Sequence, residues 1–148
     1  MKGKAGVWCY DDGGRKAAGY CGVAGDCVVR AVAIATGRSY QQVYDDVNGL
    51  ALNERRSKLK RGRSSARNGV HKPTIRRLLA SYGWTWTPTM RVGQGCRVHL
   101  VAHELPPGRL VVSVSKHLVA VIDGLIHDTH NPSRGGTRCV YGYWRQGS

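Results

Sequence analysis

Cys27, His117 and Asp128 are the residues of this chain whose types could do chemistry together. A thiol, an imidazole and a carboxylate supply a nucleophile, a base and a group that orients the base, the skeleton of a cysteine nucleophile site. They lie far apart in sequence, so the elements around them must bring them into contact. His117-Leu118-Val119-Ala120-Val121-Ile122 is an apolar, β-branched run that reads as a strand, and Leu125-Ile126-His127-Asp128-Thr129-His130 reads as a second. Asp123-Gly124 between them is a strong hairpin signal. A two-residue turn pairs Ile122 with Leu125, hence Val119 with Asp128 and His117 with His130. Alternation then places His117, Val119, Asp128 and His130 on one face. His117 and Asp128 become diagonal neighbours about 7–8 Å apart at the backbone, within reach of a histidine–carboxylate hydrogen bond.

Cys27 sits in Gly25-Asp26-Cys27-Val28-Val29-Arg30-Ala31. Asp26 suits a helix N-cap, and the run from Val28 to Thr36 ends at Gly37, a helix stop, so a helix is expected over 26–36. A thiol in the first turn meets free N–H groups and the positive end of the helix dipole, which favour the thiolate and can form half of an oxyanion hole. The negative charge of Asp26 works against the thiolate. The plainer reading of Cys27 is a small apolar residue buried beside an Ala/Val-rich helix.

The 148 residues carry 23 Lys and Arg against 9 Asp and Glu, a net charge of +14. This length suits one domain, 1–148, with its own core. No apolar stretch is long enough to span a membrane, and Met1 to Trp8 is basic without the apolar segment of a signal peptide. The expectation is therefore a cytoplasmic protein, unless another system exports or packages it. Cysteines 9, 21, 27, 96 and 139 form no CxxC pair. That spacing fits neither a zinc site nor a disulfide framework, and reduced thiols are expected. His127, Asp128 and His130 alternate faces on a strand and cannot all converge on an ion; no metal and no other cofactor is expected.

Much of the positive charge lies in a stretch from about 53 to 70, in Arg55, Arg56, Lys58, Lys60, Arg61, Arg63 and Arg67, against Glu54 alone. Interleaved Ser, Gly and Asn, and the lack of a helical apolar period, make it a solvated loop. Such a loop could bind nucleic acid, an acidic protein or an anionic wall polymer through nonspecific electrostatics. It has no interleaved aromatics for base stacking, and a purely solubilising loop is the alternative.

Residues 1 to 25 are Gly-rich and are expected to be irregular, held down by Trp8, Tyr10 and Tyr20. Ser39 caps a second helix in which Tyr40, Val43, Tyr44 and Val47 form an apolar stripe. A third helix runs from Lys72-Pro73 to Tyr82, with Pro73 in its first turn and Gly83 ending it. From Trp84 the period changes to two. Trp84 to Thr87, Arg97 to Val101, Arg109 to Ser115, the His117 hairpin and Cys139 to Trp144 read as strands. Helices first and an antiparallel sheet second is the α+β class.

A cysteine opening the first long helix, with a His and then an Asp in the later sheet, resembles the papain-like cysteine peptidases. Gly25-Asp26-Cys27, Lys116 to Val121 and Ile126-His127-Asp128-Thr129 carry the likeness. The arrangement looks closest to compact members, such as the bacteriocin-processing domains of exporters and small papain-like proteins of bacteriophages and prophages. The resemblance implies a papain-like fold, helices packed on a C-terminal sheet, and a thiol hydrolase acting on a peptide, isopeptide or related amide. Cys27 would be the nucleophile, His117 the general base and acid, and Asp128 the orienter. A phage-encoded protein would work in the cytoplasm of the host cell or in the virion. The glutamine that such enzymes place about six residues before the nucleophile is Cys21 here, and no Gln or Asn precedes Cys27. Two alternatives accompany this reading. One is a cell-wall-amidase arrangement in which His127 replaces Asp128. The other is a non-catalytic phage accessory protein that binds nucleic acid or a host protein through the basic loop.

Overall fold

The computed structural model describes residues 7–21, 25–54, 64–91 and 93–147. Three helices, α1 (Cys27–Thr36), α2 (Tyr40–Ala51) and α3 (Lys72–Ser81), lie on a six-stranded sheet. Its strands are β1 (Trp8–Tyr10), β2 (Trp84–Pro88), β3 (Arg109–Val114), β4 (His117–Ile122), β5 (Leu125–Asp128) and β6 (Val140–Gln146), in the spatial order β1-β5-β4-β3-β6-β2. The class is α+β. The sheet is mixed rather than antiparallel throughout, because β1 runs parallel to β5. Residues 8–10 thus add an edge strand where an irregular segment is expected, and Trp8 and Tyr10 face solvent instead of packing it down. Tyr20 does pack inward, its ring stacked on Tyr44 at 4.6 Å.

Both faces of the central strands are covered, which is why β3 and β4 read as continuous apolar runs rather than alternating ones. On one face Leu118, Ala120, Val111 and Trp144 meet the helices through Val29, Val32, Leu78 and Leu79. On the other, Val112, Val119, Val121 and Ile126 pack under Leu100 and Leu105. The segment that supplies those two leucines is not the strand expected over 97–101. It makes one bridge, His99 to Cys139, and then turns into a short 3-10 helix at Ala102–Glu104. Glu104 closes that turn by accepting the His99 N–H at 3.1 Å.

The hairpin has the anticipated register, with Ile122 opposite Leu125 and Ala120 opposite His127. Asp123 and Gly124 both have positive φ, 49° and 81°, the condition for the tight turn whose twist matches the strands. Asp123 is tied to the Pro-Pro-Gly turn, taking the Gly108 N–H at 2.7 Å.

Arg55, Arg56, Lys58, Lys60, Arg61 and Arg63 lie outside the described residues. The two ends of that stretch are held by one carboxylate. Buried Glu54 accepts the Ser64 N–H at 2.6 Å and the hydroxyls of Ser64 and Thr74, fastening both ends to α3. No helix of the described residues is long and apolar enough to cross a membrane.

Gly124→Ala should cost about 2 kcal/mol, read as a lower urea midpoint. The position needs positive φ, and an added Cβ would stand 2.8 Å from the Ala102 Cβ.

Candidate active site

The site is assembled where the first turn of α1 meets the start of β4 and the end of β5. His117 Nε2 and Asp128 Oδ2 are 2.6 Å apart, and Asp128 is buried. Asp128 also receives the Thr129 N–H at 2.7 Å. Cys27 lines the same cleft as His117 and Leu118, close enough that the His117 ring and the Leu118 N–H both favour its thiolate. With Nε2 committed to Asp128, Nδ1 is the ring nitrogen left for the thiol. The structure therefore brings Cys27, His117 and Asp128 together, in the order thiol, imidazole, carboxylate.

The charges follow from these contacts. Burial alone would push the Cys27 thiol up, but the neighbouring His117 ring and its charge, the Leu118 N–H and the Arg30 guanidinium together hold it below 9.0. Burial likewise disfavours the His117 cation. Asp128 and the Cys27 sulfur outweigh it and raise the imidazole to about 9. Burial would raise Asp128 too, yet His117, the Thr129 N–H and His130 keep its carboxyl below the usual carboxylate value. All three shifts favour a thiolate–imidazolium pair beside an ionised carboxylate.

Asp26 does not cap α1 with its side chain. Its buried carboxylate instead meets Arg30 Nη1 at 2.5 Å, the Tyr40 hydroxyl at 2.5 Å and Arg15 Nε at 3.2 Å. Two guanidinium groups offset the charge that would otherwise oppose a thiolate at the next residue. Arg30 also reaches Asp128, with Nη2 3.6 Å from Oδ1, and so links the head of α1 to the carboxylate behind His117. Neither arginine is singled out by sequence reasoning; the i,i+4 spacing of Asp26 and Arg30 is the signal that could have found the second.

His127 belongs elsewhere. It pairs with Ala120, and its Nδ1 lies 3.0 Å from Asp11 Oδ2 and 3.4 Å from the Cys9 sulfur. The arrangement in which His127 replaces Asp128 is therefore not formed. His130 stands against His117, ring centroids 5.2 Å apart, with Nδ1 3.8 Å from Asp128 Oδ1. Among the described residues, His117, Asp128 and His130 place ligand atoms within 4.8 Å of one another.

The expectation of five reduced thiols is corrected. Cys96 and Cys139 form a disulfide across 43 residues, their Cα atoms 5.7 Å apart. They meet because the His99–Cys139 bridge lays the chain before His99 against the start of β6, a proximity that spacing alone does not reveal. Cys9, Cys21 and Cys27 remain free thiols.

Cys27 and His117 open into a cleft of about 960 Å³. Trp86, 38% exposed, and Trp144 form part of its apolar wall, their rings 4.3 Å apart. The chain was compared with protein-family models, with curated proteins and with solved structures, and nothing matches it in any of the three.

Two measurements check this geometry. Iodoacetamide should alkylate Cys27 ahead of Cys9 near neutral pH, because the Cys27 thiol is depressed below 9.0 and that of Cys9 is raised by burial and by Asp11. His117→Ala removes the largest depressing influence and leaves burial, so the midpoint of the rate–pH curve should move upward. Asp26→Ala leaves two guanidinium groups beside an empty site and should destabilise the fold by about 3 kcal/mol in urea unfolding. Tyr40→Phe should cost less, about 1.5–2 kcal/mol for one hydrogen bond to a charged group.

Proposed function

We propose that the protein is a papain-like thiol hydrolase that cleaves a peptide, isopeptide or related amide through an acyl-enzyme. The observation that carries this reading is the buried Asp128 carboxylate 2.6 Å from His117 Nε2, with the Cys27 thiol on the other side of the same ring. A carboxylate in that position fixes the imidazole and stabilises the imidazolium, the role such a group plays in nucleophile–base–orienter sites.

The reaction follows from the charges. The Cys27 thiolate attacks the carbonyl carbon, and the carbonyl oxygen becomes an oxyanion. The Cys27 N–H and its neighbours in the first turn of α1 have no intrahelical acceptor and are the donors available to it. Collapse of the intermediate breaks the C–N bond as His117 gives its proton to the leaving amine. Water then attacks the thioester, passing its proton to His117, and the carboxylic acid leaves as the thiolate is restored. Cys21 replaces the glutamine that papain-like enzymes offer to the oxyanion, and a missing donor typically costs ~10²–10³ in rate. Slow turnover is therefore expected.

Peptide-library digestion followed by mass spectrometry tests the proposal. Cleavage should vanish in Cys27→Ala and in His117→Ala. Asp128→Asn should retain part of the activity, since an amide oxygen still accepts the ring N–H, Asp128→Ala should lose far more, and His127→Ala should lose little. The rate should rise with pH as the depressed Cys27 thiol ionises, and fall again as His117 loses its proton at about 9. Cleavage that persists in Cys27→Ala, or a library left intact by a protein whose Cys27 is alkylated rapidly, would overturn the assignment.

A further inference from the structure

We infer that the cleft beside Cys27 is built for an acidic peptide, with Glu or Asp side chains flanking the bond that the thiol attacks. The inference rests on the hydrolase reading of the site for its position, and on the charge of the walls for its content. Four cationic side chains line the cleft: Lys72 and Arg76 from α3, Arg91 after β2, and Lys116 in the turn before β4. Among the described residues, no Asp or Glu lines it. All four residues are exposed, and no described carboxylate forms an ion pair with any of them. Elsewhere in the molecule the arginines that approach carboxylates are paired with them, as Arg15 and Arg30 are with Asp26. The cleft therefore concentrates positive charge that the protein itself does not neutralise, and a concave site with low-dielectric walls strengthens the attraction for anions.

Lys116 adds an independent observation. It is a non-glycine residue at φ 55°, next to His117 in sequence. Glycine would adopt that backbone at no steric cost, whereas lysine pays for it. That positive φ belongs to the two-residue turn that pairs Val114 with His117, so the hairpin that carries the imidazole also sets the Lys116 cation beside it. The exposed face of Trp86 supplies the apolar contact that an extended peptide needs between its charged groups. A peptide is the class of polyanion that suits the chemistry, because a thiolate forms an acyl-enzyme with a carbonyl and nucleic acid offers phosphodiesters instead.

The test uses the full chain with Cys27→Ala, which binds without turnover. Three fluorescein-labelled peptide pools would be compared by anisotropy, identical except for Glu, Gln or Lys at the positions flanking a random centre, with a single-stranded oligonucleotide of equal charge as the fourth probe. The Glu pool should bind about tenfold more tightly than the Gln pool, the difference shrinking as salt is raised. Arg76→Glu with Lys116→Glu should reverse the order toward the Lys pool. Arg77→Glu with Arg145→Glu, which changes the net charge equally outside the cleft, should preserve it. If the double reversal lowers the melting temperature, Arg76→Gln with Lys116→Gln should still erase the Glu–Gln difference. Equal affinity for the Glu and Gln pools, equal loss in the control variant, or tighter binding of the oligonucleotide would overturn the inference.

Turnover separates this inference from the reading beneath it. Wild-type protein that cuts the Glu and Gln pools at the same rate would defeat the acidic preference and leave the hydrolase intact. Preferential binding of the Glu pool that shields Cys27 from iodoacetamide, with no peptide cut, would defeat the hydrolase and leave an acidic-peptide cleft.

Discussion

The register of one hairpin decides what can meet in this molecule. Asp123 and Gly124 both take positive φ, so β4 and β5 are joined by two residues and Ala120 must face His127. That pairing sends His127 to the side of Cys9 and Asp11, and leaves Asp128 to His117. Because side chains alternate, a slip of one residue would exchange the two. The carboxylate behind the imidazole is thus set by turn geometry, independently of how the helices pack on the sheet. β1 reinforces the choice by pairing Tyr10 with Asp128, and the Asp11 N–H reaches the Asp128 carbonyl at 2.9 Å.

The second constraint is electrostatic. A thiolate, a carboxylate behind its base and another carboxylate one residue before the thiol make three negative groups in a largely buried region. Such a set is costly unless cations enter with it. Arg30 answers for two of them at once, because its Nη1 sits on Asp26 and its Nη2 faces Asp128. Arg15 completes the neutralisation from the Gly-rich segment, and Tyr40 from α2 donates its hydroxyl to the same Asp26 Oδ2 that Arg15 approaches. Asp26 thereby ties the N-terminal segment, α1 and α2 to one point beside Cys27. The aspartate that reads from sequence as a liability for the thiolate is instead the node that fixes its position.

What was legible in the sequence divides by range. α1, α2 and α3, the hairpin and its register follow from local signals: an apolar stripe at Tyr40, Val43 and Val47, Pro73 in a first turn, and a tight Asp-Gly turn. The meeting of His117 with Asp128 followed from that register, since eleven positions apart across a hairpin is still a local relation. Distant pairings left no such trace. β1 runs parallel to β5 more than a hundred residues away, and three residues, Trp8, Cys9 and Tyr10, carry too little pattern to announce a strand. The Cys96–Cys139 disulfide depends on the bridge at His99, which replaces the strand suggested by Arg97 to Val101. The side-chain role of Asp26 is not legible for a related reason: an N-cap is a local inference, whereas its partners Arg15 and Tyr40 come from separate segments.

The same division bears on the cleft. One end of it is composed of residues from α1, β4 and β5, where Cys27 and His117 meet with Asp128 behind the imidazole. Its walls come from α3, from β2 and the chain after it, and from the turn before β4, elements that share no local pattern with the reactive end. The disulfide joins Cys96, just past the cleft-lining Gly93 and Gly95, to Cys139 at the foot of β6, so one wall is fixed covalently to the sheet that carries Trp144. The Cys27 end and the walls are thus held by different means: hydrogen bonds and ion pairs set the first, while a disulfide and aromatic packing set the second. The walls on α3 and around Arg91 could therefore change without disturbing the contacts beside Cys27, because those contacts are anchored at Asp26 and Asp128.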